Sequence, residues 1–202
     1  DEAVGDYTWQ TIYIAVAAGV ILTFIGWHSD VAMPWTRNPI DVQHQAHLYI
    51  RWRNVSAIFT QVGFTLMGFF QGRRQVRVPM WAGIIANSLN VLLDARLIFG
   101  WSGLEIAGVR LFSVPAMGIV GAAVATSIAT FINTAILALV MLMPAENRRR
   151  FRLHLPRRPD FPRIGHLVRI GLPSALEGFM EMGSFSIFTI LIGMAEIGRA
   201  HV

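Results

Sequence analysis

Asn90 and Asp94 stand four residues apart in an otherwise apolar run, IIANSLNVLLDARLIF. That spacing puts both side chains on one face of a helix. A carboxylate in an apolar span costs free energy unless it is paired or hydrated, so it marks a candidate site. With a nearby amide oxygen it can hold a hard cation or a proton. Thr126, in the next apolar run, can add a hydroxyl oxygen. The competing reading makes Asp94 an interfacial acid paired with Arg96, whose long side chain reaches back to water. Asn87, one turn earlier, reads either as a cavity residue or as a polar bond between helices. A second pair, Glu177 and Glu181, is also spaced by four, in IGLPSALEGFMEMGSFSIF. Glu181 lies 11 residues beyond Ile170, about 16 Å along a helix, near the middle of a membrane. Protons and cations compete for carboxylates at such a depth.

Other polar and aromatic residues are weaker candidates. Gln61 could line a cavity or bond to a neighbouring helix, and the second is the better reading. Phe185, with Phe179, Met180 and Met182, could face a bound organic molecule, lipid or packed helices. His44 and His47 are three apart, but no carboxylate cluster completes a transition-metal site around them. No cysteine is present, which removes disulfides and thiolate ligation. No Ser, His or paired-Asp constellation suggests covalent catalysis, so the sequence does not read as an enzyme.

The elements that must position these residues are apolar helices. The chain of 202 residues is 54% hydrophobic and 14% charged, far fewer charges than a soluble domain carries, with a mean hydropathy of +0.51. After polar residues 1–6, Tyr7–Ser29 contains no Asp, Glu, Lys or Arg. It is long enough to span a bilayer, with Tyr7, Trp9 and Trp27 placed near its ends as interfacial aromatics. It has no cleavage pattern of a signal peptide, and the opening residues look internal to a longer protein. Asp30–Asp41 reads as a loop and Val42–Arg53 as a polar, helix-compatible lead into a second span, Asn54–Gly72. A basic turn, Gln71–Val78, and Pro79 in a first-turn position introduce the third span, Met80–Phe99. Gly100–Pro115 reads as a loop and Met117–Met143 as the fourth span. Ala145–Arg163 is a basic linker. A last span begins near Ile164, and Pro173 is expected to bend or break it locally. Gly63 and Gly68 in span two, and Gly118 and Gly121 in span four, are expected to let neighbouring helices approach closely.

All 17 basic residues are Arg, and the formal net charge is +5. Arg73, Arg74 and Arg77 fall in one loop. Arg148, Arg149, Arg150, Arg152, Arg157, Arg158 and Arg163 fall in the linker. Both lie on one side if the intervening spans all cross, and the positive-inside rule places that side in the cytoplasm. Arg37, Arg51, Arg53 and Arg110 fall on the other side. Topology explains the basic balance, so it gives no reason to invoke nucleic acid.

Five segments resemble, in order, the multidrug and toxic compound extrusion (MATE) transporters, over about residues 1–195. DEAVGDYTWQ resembles the entry to the family's third span, and FFQGRRQVRVPM its fourth-to-fifth-span junction. IIANSLNVLLDARLIFG and GIVGAAVATSIA resemble its fifth and sixth spans, and IGLPSALEGFMEMGSFSIFTILIG its seventh. The resemblance implies an all-α, polytopic transmembrane bundle, a fragment of a twelve-helix transporter with two six-helix lobes. Residues 1–144 would be helices three to six of the N-terminal lobe. Residues 145–163 would be a cytoplasmic linker, and 164–195 helix seven at the start of the C-terminal lobe. AEIGRAHV departs from the pattern, and residues 196–202 read as a non-native, sequencing-adapter-derived tail.

The same resemblance implies a secondary active antiporter of the inner membrane, exporting organic cations or drugs in exchange for H+ or Na+, with no cofactor beyond the coupling ion. Positions matching Asn90, Asp94 and Thr126 contribute to the family's N-terminal cation or proton site, completed by a first-span Asp outside this chain. Glu181 matches its seventh-span Glu, while Glu177 reads either as an outer ligand beside it or as an acid reaching toward the cytoplasmic interface. Expected partners are small organic cations and membrane lipids, with no protein partner implied. The fragment alone would be inactive. A lipid-linked oligosaccharide flippase of the same superfamily would need a more basic cavity. A non-transporting membrane subunit would leave Asp94 and Glu181 paired and inaccessible.

Overall fold

In a computed structural model the described residues are 2–36, 38–101, 104–106, 109–111, 115–144, 147, 151 and 157–199. They divide into two units, residues 1–158 and 159–202. The first unit is built from α1 (Glu2–Trp27), α2 (Ile40–Asn54), α3 (Ala57–Gly72), α4 (Arg77–Phe99) and α5 (Gly118–Leu142), with a small hairpin between the last two. The second is α6 (Phe161–Arg199).

Three helices, over Ala3–Trp27, Arg77–Phe99 and Gly118–Leu142, are long and apolar enough to cross a membrane. Several of their hydroxyls are satisfied within the helix. In α1 the hydroxyls of Thr8, Thr11 and Thr23 donate to carbonyls one turn back, on Val4, Tyr7 and Gly19. In α5 Thr126, Ser127 and Thr130 do the same. This back-bonding lets a hydroxyl sit in an apolar helix without a lost hydrogen bond. Large apolar side chains such as Phe24, Trp81, Val91 and Leu92 remain 58–68% exposed. An apolar surface of that kind fits lipid contact better than water.

The expected span Asn54–Gly72 is interrupted at its start. The chain leaves α2 after Asn54 and re-enters a helix at Ala57. Ser56 holds the break: its hydroxyl donates to the Arg53 carbonyl at 2.9 Å and accepts from the Arg53 guanidinium at 2.7 Å. At 16 residues, α3 is about 24 Å long and too short to cross the ~30 Å hydrocarbon layer by itself. The polar α2 adjoins it in sequence. The region 100–115 also differs from the loop expectation. Leu104–Ile106 and Val109–Leu111 pair antiparallel, with Glu105 opposite Arg110. Two triplets of alternating character separated by two residues are a hairpin signal. The last helix begins at Phe161 rather than near Ile164. Asp160 explains its start: the Arg163 amide donates to the Asp160 carboxylate at 3.3 Å, as at an N-cap, and the Arg163 guanidinium pairs with it at 3.0 Å. Pro173 does not break α6. Proline removes one amide donor, and the flanking hydrogen bonds carry the helix past it.

Within the first unit α4 packs on α5, α1 on α3, and both α2 and α3 on α5. Small residues set these distances. A Cβ at Gly121 would collide with the backbone carbonyl of Leu97 in α4. One at Gly63 would stand 2.8 Å from the Thr134 hydroxyl of α5. These two glycines act as the sequence suggests, while Gly68 meets nothing and Gly118 instead turns the chain at φ 55°. The core cluster lies near one end of the bundle: Leu66, Phe69 and Phe70 from α3, Ala82 from α4, Leu137 and Met141 from α5, and Phe151 from the linker.

The same end gathers basic chain. Arg73 donates to Asn147 at 2.7 Å and lies over the rings of Phe69 and Phe151, while Asn147 donates to the Met141 carbonyl at 3.0 Å. Arg157 pairs with Asp6 at 2.9 Å. Gln10 and Tyr13 donate to the backbone carbonyls of Arg158 and Arg157. The α3–α4 turn and the linker residues Asn147, Phe151, Arg157 and Arg158 therefore share one end of the bundle, as the alternation of spans requires.

Gly121→Ala is expected to lower stability by about 1–3 kcal/mol through overpacking. Gly68→Ala should be neutral or stabilising by up to about 1 kcal/mol, from helix propensity. Thermal unfolding of the two variants in detergent tests the contrast.

Candidate functional site

A cavity of about 240 Å³ lies between α3, α4 and α5. Asn87 and Asn90 reach it from α4, and Thr126, Thr130, Asn133 and Thr134 from α5. Thr60, Gly63, Phe64 and Met67 close it from α3. Its polar lining consists of amides and hydroxyls and carries no formal charge. The Asn90 amide donates to the Thr126 hydroxyl at 3.4 Å, a long contact, and Thr126 donates to the Ala122 carbonyl at 2.9 Å. Thr134 fixes α5 to α3 by donating to the Phe59 carbonyl at 2.8 Å.

The helices present this set because of their polar periodicity. Asn87, Asn90 and Asp94 follow one face of α4. Thr126, Thr130, Asn133 and Leu137 follow one face of α5 at spacings of three and four. The cavity thus joins Asn87, Asn90 and Thr126, which the sequence singles out. It adds Thr130, Asn133 and Thr134, which the sequence reading passes over although the same spacing marks them. The amide oxygen of Asn133 is buried without a hydrogen-bond partner among the described residues.

Asp94 lies one turn beyond Asn90 and does not line the cavity. One of its carboxylate oxygens is buried and lacks a hydrogen-bond partner among the described residues. Arg96 does not neutralise it: the guanidinium lies 4.2 Å over the Trp101 ring, and no ion pair joins the two among the described residues. An orphaned carboxylate oxygen in a membrane-length helix is an arrangement that a bound cation could relieve.

Gln61 is half-buried in α3 and lies outside the cavity wall, where its backbone carbonyl accepts from Thr65 at 3.3 Å. Glu177, Glu181 and Phe185 lie exposed on α6, in the second unit. Among the described residues there is no cluster of three His, Asp or Glu side chains able to hold a metal.

Comparison with known proteins bears on what such a bundle is for. A family model described as MatE matches residues 1–95. A protein named probable multidrug resistance protein NorM from Thermotoga maritima is 30% identical over 207 aligned residues, covering 99% of this chain and 41% of the relative. Proteins of the same name from Mesorhizobium japonicum and Photorhabdus laumondii are 27% and 32% identical, covering 93% and 66% of this chain. The chain is homologous to the MATE/NorM multidrug-extrusion proteins. The identity is moderate, the family model accounts for part of the chain, and the chain spans about two fifths of the length of the first relatives. That family comprises transporters, not enzymes. Homology and membrane-length helices together make this a multi-pass membrane chain. No solved structure matches it.

The orphaned oxygen gives a direct test. Asp94→Leu removes a buried acceptor that no described residue satisfies, so it should raise stability by about 1 kcal/mol or leave it unchanged. A clear loss in thermal unfolding in detergent would show instead that Asp94 is bonded into the fold.

Proposed function

We propose that this chain is part of a secondary active antiporter of the inner membrane that exports organic cations or drugs in exchange for H+ or Na+. The observation that carries the reading is the placement of Asp94. Its buried oxygen has no partner among the described residues, one turn from an amide and hydroxyl cavity in a homologue of multidrug-resistance proteins. Residues 1–144 are helices three to six of one lobe, 145–163 the cytoplasmic linker and 164–195 the start of the second lobe.

In this scheme Asn90, Asp94 and Thr126 supply oxygens to the coupling ion or proton in the first lobe. Glu181, assisted by Glu177, does so in the second. Asn87 and Phe185 face the transported molecule, and Gln61 packs between helices. Binding at the acids shifts the balance between two packings of the bundle, and the transported cation binds with the opposite preference. Coupling is then a difference in affinity between two states. The acidic character of these candidates favours a cationic substrate over a phosphate-bearing one.

The test uses the gene with its uninterrupted reading frame, expressed and reconstituted in vesicles. Drug efflux is driven separately by a proton gradient and by a sodium gradient, in the parent and in D94N and E181Q. The expected result is loss of coupled efflux under one gradient in at least one variant, with protein still inserted. Unchanged coupled efflux in both would remove these acids from the mechanism.

A further inference from the structure

The basic end of the first unit holds two adjoining cavities that the transport reading does not use. The first, of about 680 Å³, is bordered by Arg73, Arg74 and Arg77 with Asn147 beneath them. The second is an apolar groove of about 240 Å³ between α4 and α5, walled by Trp81, Ile85 and Ile136. The two share Arg77, Val78 and Val140. An arginine-bordered cavity thus adjoins an apolar groove along two membrane-length helices.

The three arginines are not equivalent. Arg73 is committed to Asn147 and to the Phe69 and Phe151 rings. Arg74 and Arg77 are exposed, and neither has a carboxylate partner among the described residues. Arg74 also adopts φ 58°, a left-handed conformation that costs a non-glycine residue about 1 kcal/mol or more. Hydrogen bonds from the Arg74 amide to Gln71 and from the Gln75 amide to Phe70, both 2.9 Å, hold the turn in that shape. Glycine would adopt it freely, so the turn retains strain while presenting a guanidinium.

We propose that the paired cavities bind one anionic phospholipid, with its phosphate on Arg74 and Arg77 and an acyl chain in the groove past Trp81 and Ile85. Guanidinium groups engage phosphate through paired charge-assisted hydrogen bonds. A free phosphate would have no use for the apolar slot, and a neutral lipid none for two arginines without a carboxylate partner among the described residues. The site lies apart from Asp94 and the amide cavity. It stands or falls independently of the antiport reading, because transport and lipid retention are read with different variants.

Native mass spectrometry of the detergent-purified chain, titrated with phosphatidylglycerol or phosphatidylcholine, tests it. The chain is expected to retain one phosphatidylglycerol in preference to phosphatidylcholine. At about 1 kcal/mol per arginine, R74Q/R77Q should weaken that binding roughly 30-fold. R158Q/R169Q removes the same charge elsewhere and should leave the binding unchanged. Ile85→Trp fills the groove without altering charge and should also abolish retention. Circular dichroism confirms that each variant keeps its helix content. If R74Q/R77Q does not fold, Ile85→Trp and the two-lipid comparison decide. Equal retention of both lipids, equal weakening in R158Q/R169Q, full retention by Ile85→Trp, or inorganic phosphate binding as tightly as the lipid would each overturn the proposal.

Discussion

The first unit depends on how closely α4 and α5 approach. Gly121 lies against the Leu97 carbonyl with no room for a side chain. The Met117 amide, just before α5, donates to the same carbonyl at 2.9 Å. One backbone oxygen of α4 thus fixes both the separation and the axial register of α5. Asn90 and Thr126 meet only because that register is set. In a membrane, where lipid is as apolar as the side chains, such close packing and hydrogen bonding replace the hydrophobic drive that assembles soluble bundles. Thr134, donating to the Phe59 carbonyl across the Gly63 gap, sets α3 in the same manner.

The basic end follows a different logic. There polar and cation–π attachments are added to the apolar core cluster. Arg73 lies between Asn147 and two phenylalanine rings, and Phe151 closes the core beneath it. Arginine suits this position because its flat guanidinium can stack on a ring and donate in its plane at once. The opposite end has its own instances, with Arg51 over Trp27 and Arg96 over Trp101. In the second case stacking occupies the one cation close in sequence to Asp94.

Much of the architecture is legible in the residues. Long uncharged runs, interfacial aromatics and a first-turn proline predict α1, α4 and α5 closely, and the arginine clusters predict which loops share an end. Legibility fails where local hydrogen bonding overrides composition. Nothing in the run from Asn54 announces that the Ser56 hydroxyl and the Arg53 guanidinium would stop one helix and start another. Pro173 carries a breaking signal that the surrounding helix overrides. In the cavity, Asn87, Asn90 and Thr126 stand out as polar residues in apolar spans. Thr130, Asn133 and Thr134 have the same signal but read as ordinary helix-compatible residues until a neighbour gives their face a meaning. Glu177 and Glu181 are conspicuous in sequence, yet their surroundings depend on the arrangement of a second unit.

The linker is tied to α1 in a way that bears on how such a segment can evolve. Gln10 and Tyr13 bind the main-chain carbonyls of Arg158 and Arg157 rather than their side chains. Every residue type supplies that carbonyl. A substitution at Arg158 can therefore change local charge while both anchors persist, whereas one at Arg157 keeps its anchor but gives up the ion pair with Asp6. For these two bonds the constraint falls instead on two side chains of the helix, far away in sequence from the segment they hold.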